Sequence, residues 1–151
     1  GSVSRGELYN EDLVTGDARF CATTASMCGI ESAGFEQNDQ KMDQAIRKDI
    51  MLHAYMFTQS GIPMLYSGDE VGQVNDYTYK EDPEKAPDSR YIHRGKFNWE
   101  LADKVEEKGS VQSASSMHSE IWRRSAEEKL CLMWTRRCTR KITAILRFSG
   151  L

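Results

Sequence analysis

The chain has 151 residues, of which 39% are hydrophobic and 28% charged, and its formal net charge is −3. That is enough for one ordinary domain with a core, which at this size buries roughly two thirds of the unfolded surface. Slight acidity argues against nucleic acid or an anionic membrane as partner, because phosphate wants a concentrated positive field, and no apolar run is long enough to span a bilayer.

Residues 3–18 read as a loop rich in Gly, Asn and Asp, with Asp17 placed to cap the next segment. The opening is polar and lacks an apolar targeting core, so no secretory signal is expected. The small, mildly apolar stretch 19–33, "RFCATTASMCGIESA", predicts a tightly packed helix, and 34–40 a polar connector. Residues 41–59 carry the clearest helical period. Met42, Ala45, Ile46, Asp49, Ile50, His53, Ala54 and Phe57 recur at three and four, and Lys41, Asp43, Gln44, Arg47 and Lys48 make the solvated face. His53 on that face reads as a satisfied core histidine, and Gly61 as the helix stop.

"IPMLY", 62–66, is a short continuous apolar run, which suits a strand buried on both faces of a parallel sheet. Next comes a long polar stretch, 68–98, and a loop of that length is uncommon unless it is functional. Asn98 caps a predicted helix over 98–109, closed by Gly109. "KITAILRF", 141–148, is compatible with a strand. Cysteines 21, 28, 131 and 138 form two pairs whose spacing is wider than zinc-ligand spacing; on a helix it puts both thiols of a pair on one face. Free buried thiols in a reducing cytoplasm are therefore expected, with no metal.

Three blocks carry a resemblance. "TGDARFCATTASMCGIE" at 15–31, "GIPMLYSGDEVGQVNDY" at 61–77 and "DPEKAPDSRYIHRGKFNW" at 82–99 resemble, in that order, the α-amylase superfamily of glycoside hydrolases (family 13), and within it the amylosucrase-like branch. The likeness covers about residues 1–110. Tyr91 stands where that branch more usually has tryptophan, and Gly95 where it has proline. Residues 112–151 echo the composition of a last barrel helix but not its spacing, so a reading frame lost near residue 112 is the other reading of that tail.

The resemblance implies an α/β fold: a fragment of a (β/α)8 TIM barrel comprising the last crossover helix, the eighth strand and the loop after it, over 1–111. A complete barrel takes about 250 residues, so the chain should leave apolar surface exposed and be inactive alone. It also implies retaining chemistry on sucrose or α-glucans, with two carboxyl groups about 5 Å apart. The nucleophile, acid/base and third carboxylate lie in the family on the fourth, fifth and seventh strands, before Gly1, so no catalytic residue is assigned here. Asp69 and Glu70 are structural near the site, since neighbours leaving a strand point to opposite sides. His93 and Arg94 brace the loop. Arg90 matches the arginine that pairs with an aspartate at the pocket floor, a role suited to a fork that never deprotonates. Arg19 matches an arginine on the acceptor side. Asp76 and Tyr77 sit on the substrate-facing loop, with an aromatic face for sugar.

The expected partners are a small saccharide or oligosaccharide (sucrose, α-glucan) and the remainder of the barrel, with no nucleic acid and no membrane; no cofactor is implied. Two rivals stay open. One is an α-amylase, sucrose hydrolase or phosphorylase relative with the same barrel. The other is a non-catalytic carbohydrate-binding relative.

Overall fold

A computed structural model describes residues 2–60, 62–107 and 110–114. The strand expected over 141–148, Cys131 and Cys138, the closing Gly109, the stop at Gly61 and most of the 112–151 tail lie outside those residues.

The chain opens with a small antiparallel hairpin. Strand β1 (Glu7–Tyr9) pairs with β2 (Arg19–Cys21) in the register Glu7 to Cys21, Leu8 to Phe20 and Tyr9 to Arg19. This corrects two expectations, the plain loop over 3–18 and a helix beginning at Arg19. Three-residue strands are too short to show an alternating pattern, so the pairing is invisible locally. In the connection, the Asp12 carboxylate accepts from the amides of Val14 (2.8 Å) and Thr15 (3.3 Å). These bonds hold its pKa below the usual value. Asp17 caps no helix; its carbonyl accepts from the Asp12 amide at 2.7 Å.

Helix α1 (Thr24–Cys28) is capped by Thr23, whose hydroxyl accepts from the Ser26 amide at 3.3 Å. Gly29, at φ 108°, ends α1 and begins α2 (Ile30–Glu36). In place of the single expected helix there are two, because the left-handed conformation open to glycine breaks the run. Gln37 turns the chain at φ 50°. Asn38 then caps α3 (Asp39–Thr58), accepting from the Lys41 amide at 2.9 Å. The expected α3 is present with its expected buried face of Ala45, Asp49, Ile50, His53, Ala54 and Phe57. It starts earlier than periodicity suggests because the cap does, and it ends at Thr58 with Gln59 as its C-cap. Ala25, Ile30 and Ala45 form one core where the first three helices meet, with Met42, Ile46, Val74 and Val111 around it.

The apolar run 62–66 is neither strand nor helix, which corrects the expected buried strand. No strand among the described residues pairs with it, its one backbone–backbone bond being the turn contact from the Asp69 amide to the Tyr66 carbonyl at 3.0 Å, and Ile62 is 90% and Met64 78% exposed. A parallel strand is held by its neighbours, and hydrophobic sequence does not replace the missing ladder. Apolar surface is exposed along this run and on α3 (Met51, Leu52, Tyr55), as expected. The long segment beyond is ordered by three short 3-10 turns, Asp69–Val71, Thr78–Glu81 and Ser89–His93. Asn98 caps α4 (Trp99–Asp103) as expected, accepting from the Leu101 amide at 3.2 Å. No helix is long and apolar enough to cross a membrane among the described residues.

Candidate functional site

The turn Ser89–His93 docks on the hairpin. Ile92, fully buried, packs with Cys21 and Tyr79, and Tyr9 and Tyr91 close the cluster. Ser89 Oγ donates to the Leu8 carbonyl at 2.8 Å. Tyr79 donates its hydroxyl to Glu7, and Lys80 pairs with the same carboxylate. The Tyr79 phenol is pushed up to about 12 by desolvation first and by Glu7 second.

Docking delivers Arg90 to a defined place. Asp88 caps the turn, accepting from the Arg90 amide at 3.0 Å. It also receives the guanidinium, with Nε at 2.8 and 3.1 Å and Nη2 at 2.7 Å. This fork brings the Asp88 carboxyl down to about 2 and holds Arg90 above its ordinary value. The guanidinium carbon lies 4.6 Å from the Tyr9 ring centroid, a cation–π contact. The resemblance implies a buried floor pair. The pair that forms is half-exposed, with Arg90 at 42% and Asp88 at 23%, because its aspartate lies two residues away on a surface turn. Among the described residues Nη1 of Arg90 makes no hydrogen bond, which leaves one edge of the fork open.

Arg19 stands directly across from Tyr9 in the hairpin register. Residues opposite each other in an antiparallel pair project from the same face, so Arg19 is the cross-strand neighbour of the tyrosine whose ring carries Arg90. Arg19 is otherwise exposed. Arg94 lies 5.7 Å over Tyr91. His93 meets Tyr66 edge to face, with ring centroids 5.8 Å apart. Burial, then Arg94, lowers its pKa below the ordinary value.

Asp76 and Tyr77 reach this region through the backbone. The Asp76 amide donates to the Ile92 carbonyl at 2.8 Å. Its carboxylate is turned back to the Thr78 amide and hydroxyl at 2.9 and 2.6 Å. The Tyr77 hydroxyl donates to Glu31 at 2.9 Å and lies 3.3 Å from Asn75 Nδ2, while the residue is 40% exposed. The Lys80 ammonium lies over one face of the ring, 5.8 Å from its centroid, so any stacking surface is the opposite face of a ring anchored by its hydroxyl.

Gly95 approaches Asp76 closely. A Cβ at that position would lie 2.7 Å from Asp76 Oδ2 and 2.8 Å from its Cβ. Gly95→Ala is therefore expected to displace Asp76 and lower stability by about 1–3 kcal/mol. Urea denaturation measures this, and an unchanged midpoint would show that the contact is soft.

Asp69 and Glu70 each accept from a nearby backbone amide. They lie on a turn, not on a strand end. Asp69 Oδ2 accepts from the Tyr66 amide at 3.2 Å and Glu70 Oε2 from the Gly68 amide at 2.9 Å. No hydrogen bond or ion pair joins either to Arg90 among the described residues. No group of histidine, cysteine and carboxylate side chains could hold a metal ion among the described residues. Cys21 and Cys28 are free and buried, as expected, but one is on a strand and the other on α1, so they share no helix face.

Two partners escape sequence reasoning. Tyr9 meets Arg90 only after the hairpin has formed. Asn75, 7% exposed, ties the N-terminal segment, α1 and the loop together. It accepts from the Thr23 amide at 2.8 Å and donates to the Arg5 carbonyl at 3.1 Å, and its own amide donates to Ser26 Oγ at 2.9 Å. The "ND" pair in the loop draws notice to Asp76, and the buried anchor is its neighbour. No family model matches the chain.

Proposed function

We propose that this chain is part of a retaining α-glucosyl transferase or hydrolase acting on sucrose and α-glucans, and that it supplies the loop facing the sugar. One observation carries the reading. Arg90 is held rigid by a bidentate carboxylate and an aromatic face, with one guanidinium edge free. A preorganised donor loses little freedom when a hydroxyl or carboxylate docks. Tyr77 offers a sugar-stacking face and Arg19 a second cation across Tyr9. The described carboxylates at the turns accept from local amides or pair with cations; in the proposed enzyme, bond cleavage belongs to acid residues on earlier barrel strands.

In the full-length protein, Arg90→Ala is expected to lower kcat/KM for sucrose roughly ten- to a hundredfold, the scale of one lost charged hydrogen bond. Arg90→Lys should recover little, since an ammonium cannot keep both the Asp88 fork and the free edge. Unchanged sucrose kinetics in both variants would exclude Arg90 from the site.

A further inference from the structure

We infer that His53, Asp49 and Asp69 form a proton-operated latch, which ties the turn Asp69–Val71 to α3 while the imidazole carries two protons and releases it when one leaves. The geometry fixes the tautomer. His53 Nδ1 lies 3.0 Å from the Asp49 carbonyl oxygen, and a carbonyl only accepts, so Nδ1 carries hydrogen. The other nitrogen, Nε2, faces Asp69 Oδ2 at 3.6 Å. That is ion-pair rather than hydrogen-bond distance. With a proton on Nε2, opposite charges meet in a site where both side chains are 11% exposed. Without it, a nitrogen lone pair faces a carboxylate, and the contact is repulsive.

Asp49 strengthens the dependence. Its residue is 3% exposed, its Oδ1 accepts no hydrogen bond among the described residues, and that oxygen lies 3.6 Å from His53 Nδ1. A buried unpaired carboxylate is costly unless it is protonated or has a cation beside it. The other titratable groups coupled to the cluster are Cys28 of α1, whose thiol is pushed up to about 12 by burial and then by Asp49, and Lys48, which acts on that thiol in the opposite sense.

Burial disfavours the imidazolium, but Asp69 and Asp49 outweigh it and raise the His53 pKa above the ordinary 6.5. Burial raises Asp49 to about 6. Both shifts have the same sign. The Asp49 contribution fades as pH rises from 3.8 towards 6, and the His53 contribution, complete below 6.5, is lost as pH rises through the folded-state value. The latch is closed in mild acid and open in mild alkali. What it frees is the turn Asp69–Val71 itself, which is otherwise held by local bonds such as Gln73 amide to Gly68 carbonyl at 2.9 Å and by the burial of Val71, while the loop that carries Asp76 and Tyr77 keeps its own anchors at Gln73 and Asn75.

The test is a pH titration of the whole 151-residue chain by NMR, tracking the His53 ring proton and the exchange of the Val71, Gly72 and Gln73 amides, corrected for intrinsic exchange. His53 should titrate above 6.5. Protection of the three amides should fall through the same range, by about tenfold for each unit of that excess. Asp69→Asn supplies an amide that can donate to neutral imidazole, so protection in that variant should persist into alkali. A His53 titration at or below the ordinary value, or protection that does not change with pH in the unmodified chain, overturns the latch without recourse to any variant. An Asp69→Asn chain that keeps the original pH course overturns it equally.

Discussion

Ile92→Ala is expected to destabilise the chain by about 2–5 kcal/mol, against about 0.5–1.5 kcal/mol for Ile92→Val. Ile92 has no exposed surface and is the largest side chain fully inside the protein among the described residues. Its neighbours Cys21, Tyr79, Tyr9 and Tyr91 come from the hairpin and from two separate turns, so no single element can move to fill the cavity. The loss is large against the roughly 5–15 kcal/mol that holds a typical domain together. It also bears on Arg90, which is two residues away on the same turn and rests on Tyr9 of the same cluster. Equilibrium urea denaturation gives the stabilities, and the near-ultraviolet dichroism of the tyrosines reports the docking. Equal effects of valine and alanine would mean that the cavity closes and that the turn is not seated as described.

The second large effect belongs to Asn75. Asn75→Ala should cost about 2–4 kcal/mol, because it leaves the Thr23 amide and the Arg5 carbonyl without their partner. Asn75→Asp separates the two halves of that role. The carboxylate still accepts from Thr23 but cannot donate to Arg5, and it places a charge against a carbonyl oxygen. The aspartate variant is therefore expected to be no more stable than the alanine one. If aspartate restored native stability, the Arg5 bond would carry no weight. Either substitution removes the amide beside the Tyr77 hydroxyl, which then keeps its bond to Glu31 alone.

Contact range separates the elements legible in the sequence from those that are not. Helix α3 is legible because its buried positions repeat with a helix's own period, and the cap at Asn98 because an asparagine side chain bonds a nearby amide. The Gly29 break is written in the sequence but hidden by small residues on both sides, which suit one helix as well as two. The hairpin is not legible, since β1 and β2 are each three residues long and their pairing depends on a distant turn docking against them. The 62–66 run shows the opposite failure, a strand-like composition without a strand beside it.

The site divides in the same way. Arg90 stands out in "DSR", but the aspartate it pairs with is Asp88 of its own turn rather than one at a pocket floor, and the Tyr9 face and the Asn75 anchor are products of folding. His53 on the apolar face of α3 reads as a satisfied core histidine. It is buried and bonded to the Asp49 carbonyl, and that partner lies one helical turn back. Its second carboxylate, Asp69, arrives from the turn beyond the apolar run, and no periodicity could announce it.

Incubating the full-length protein with sucrose and, separately, with soluble starch is the most direct measurement of the proposed activity. Glucosyl transfer from sucrose, seen as fructose release with glucan or glucose formed, at a kcat/KM well above that for starch is the predicted result. Rapid cleavage of starch with no release of fructose from sucrose would contradict it, because the proposal makes sucrose the glucosyl donor.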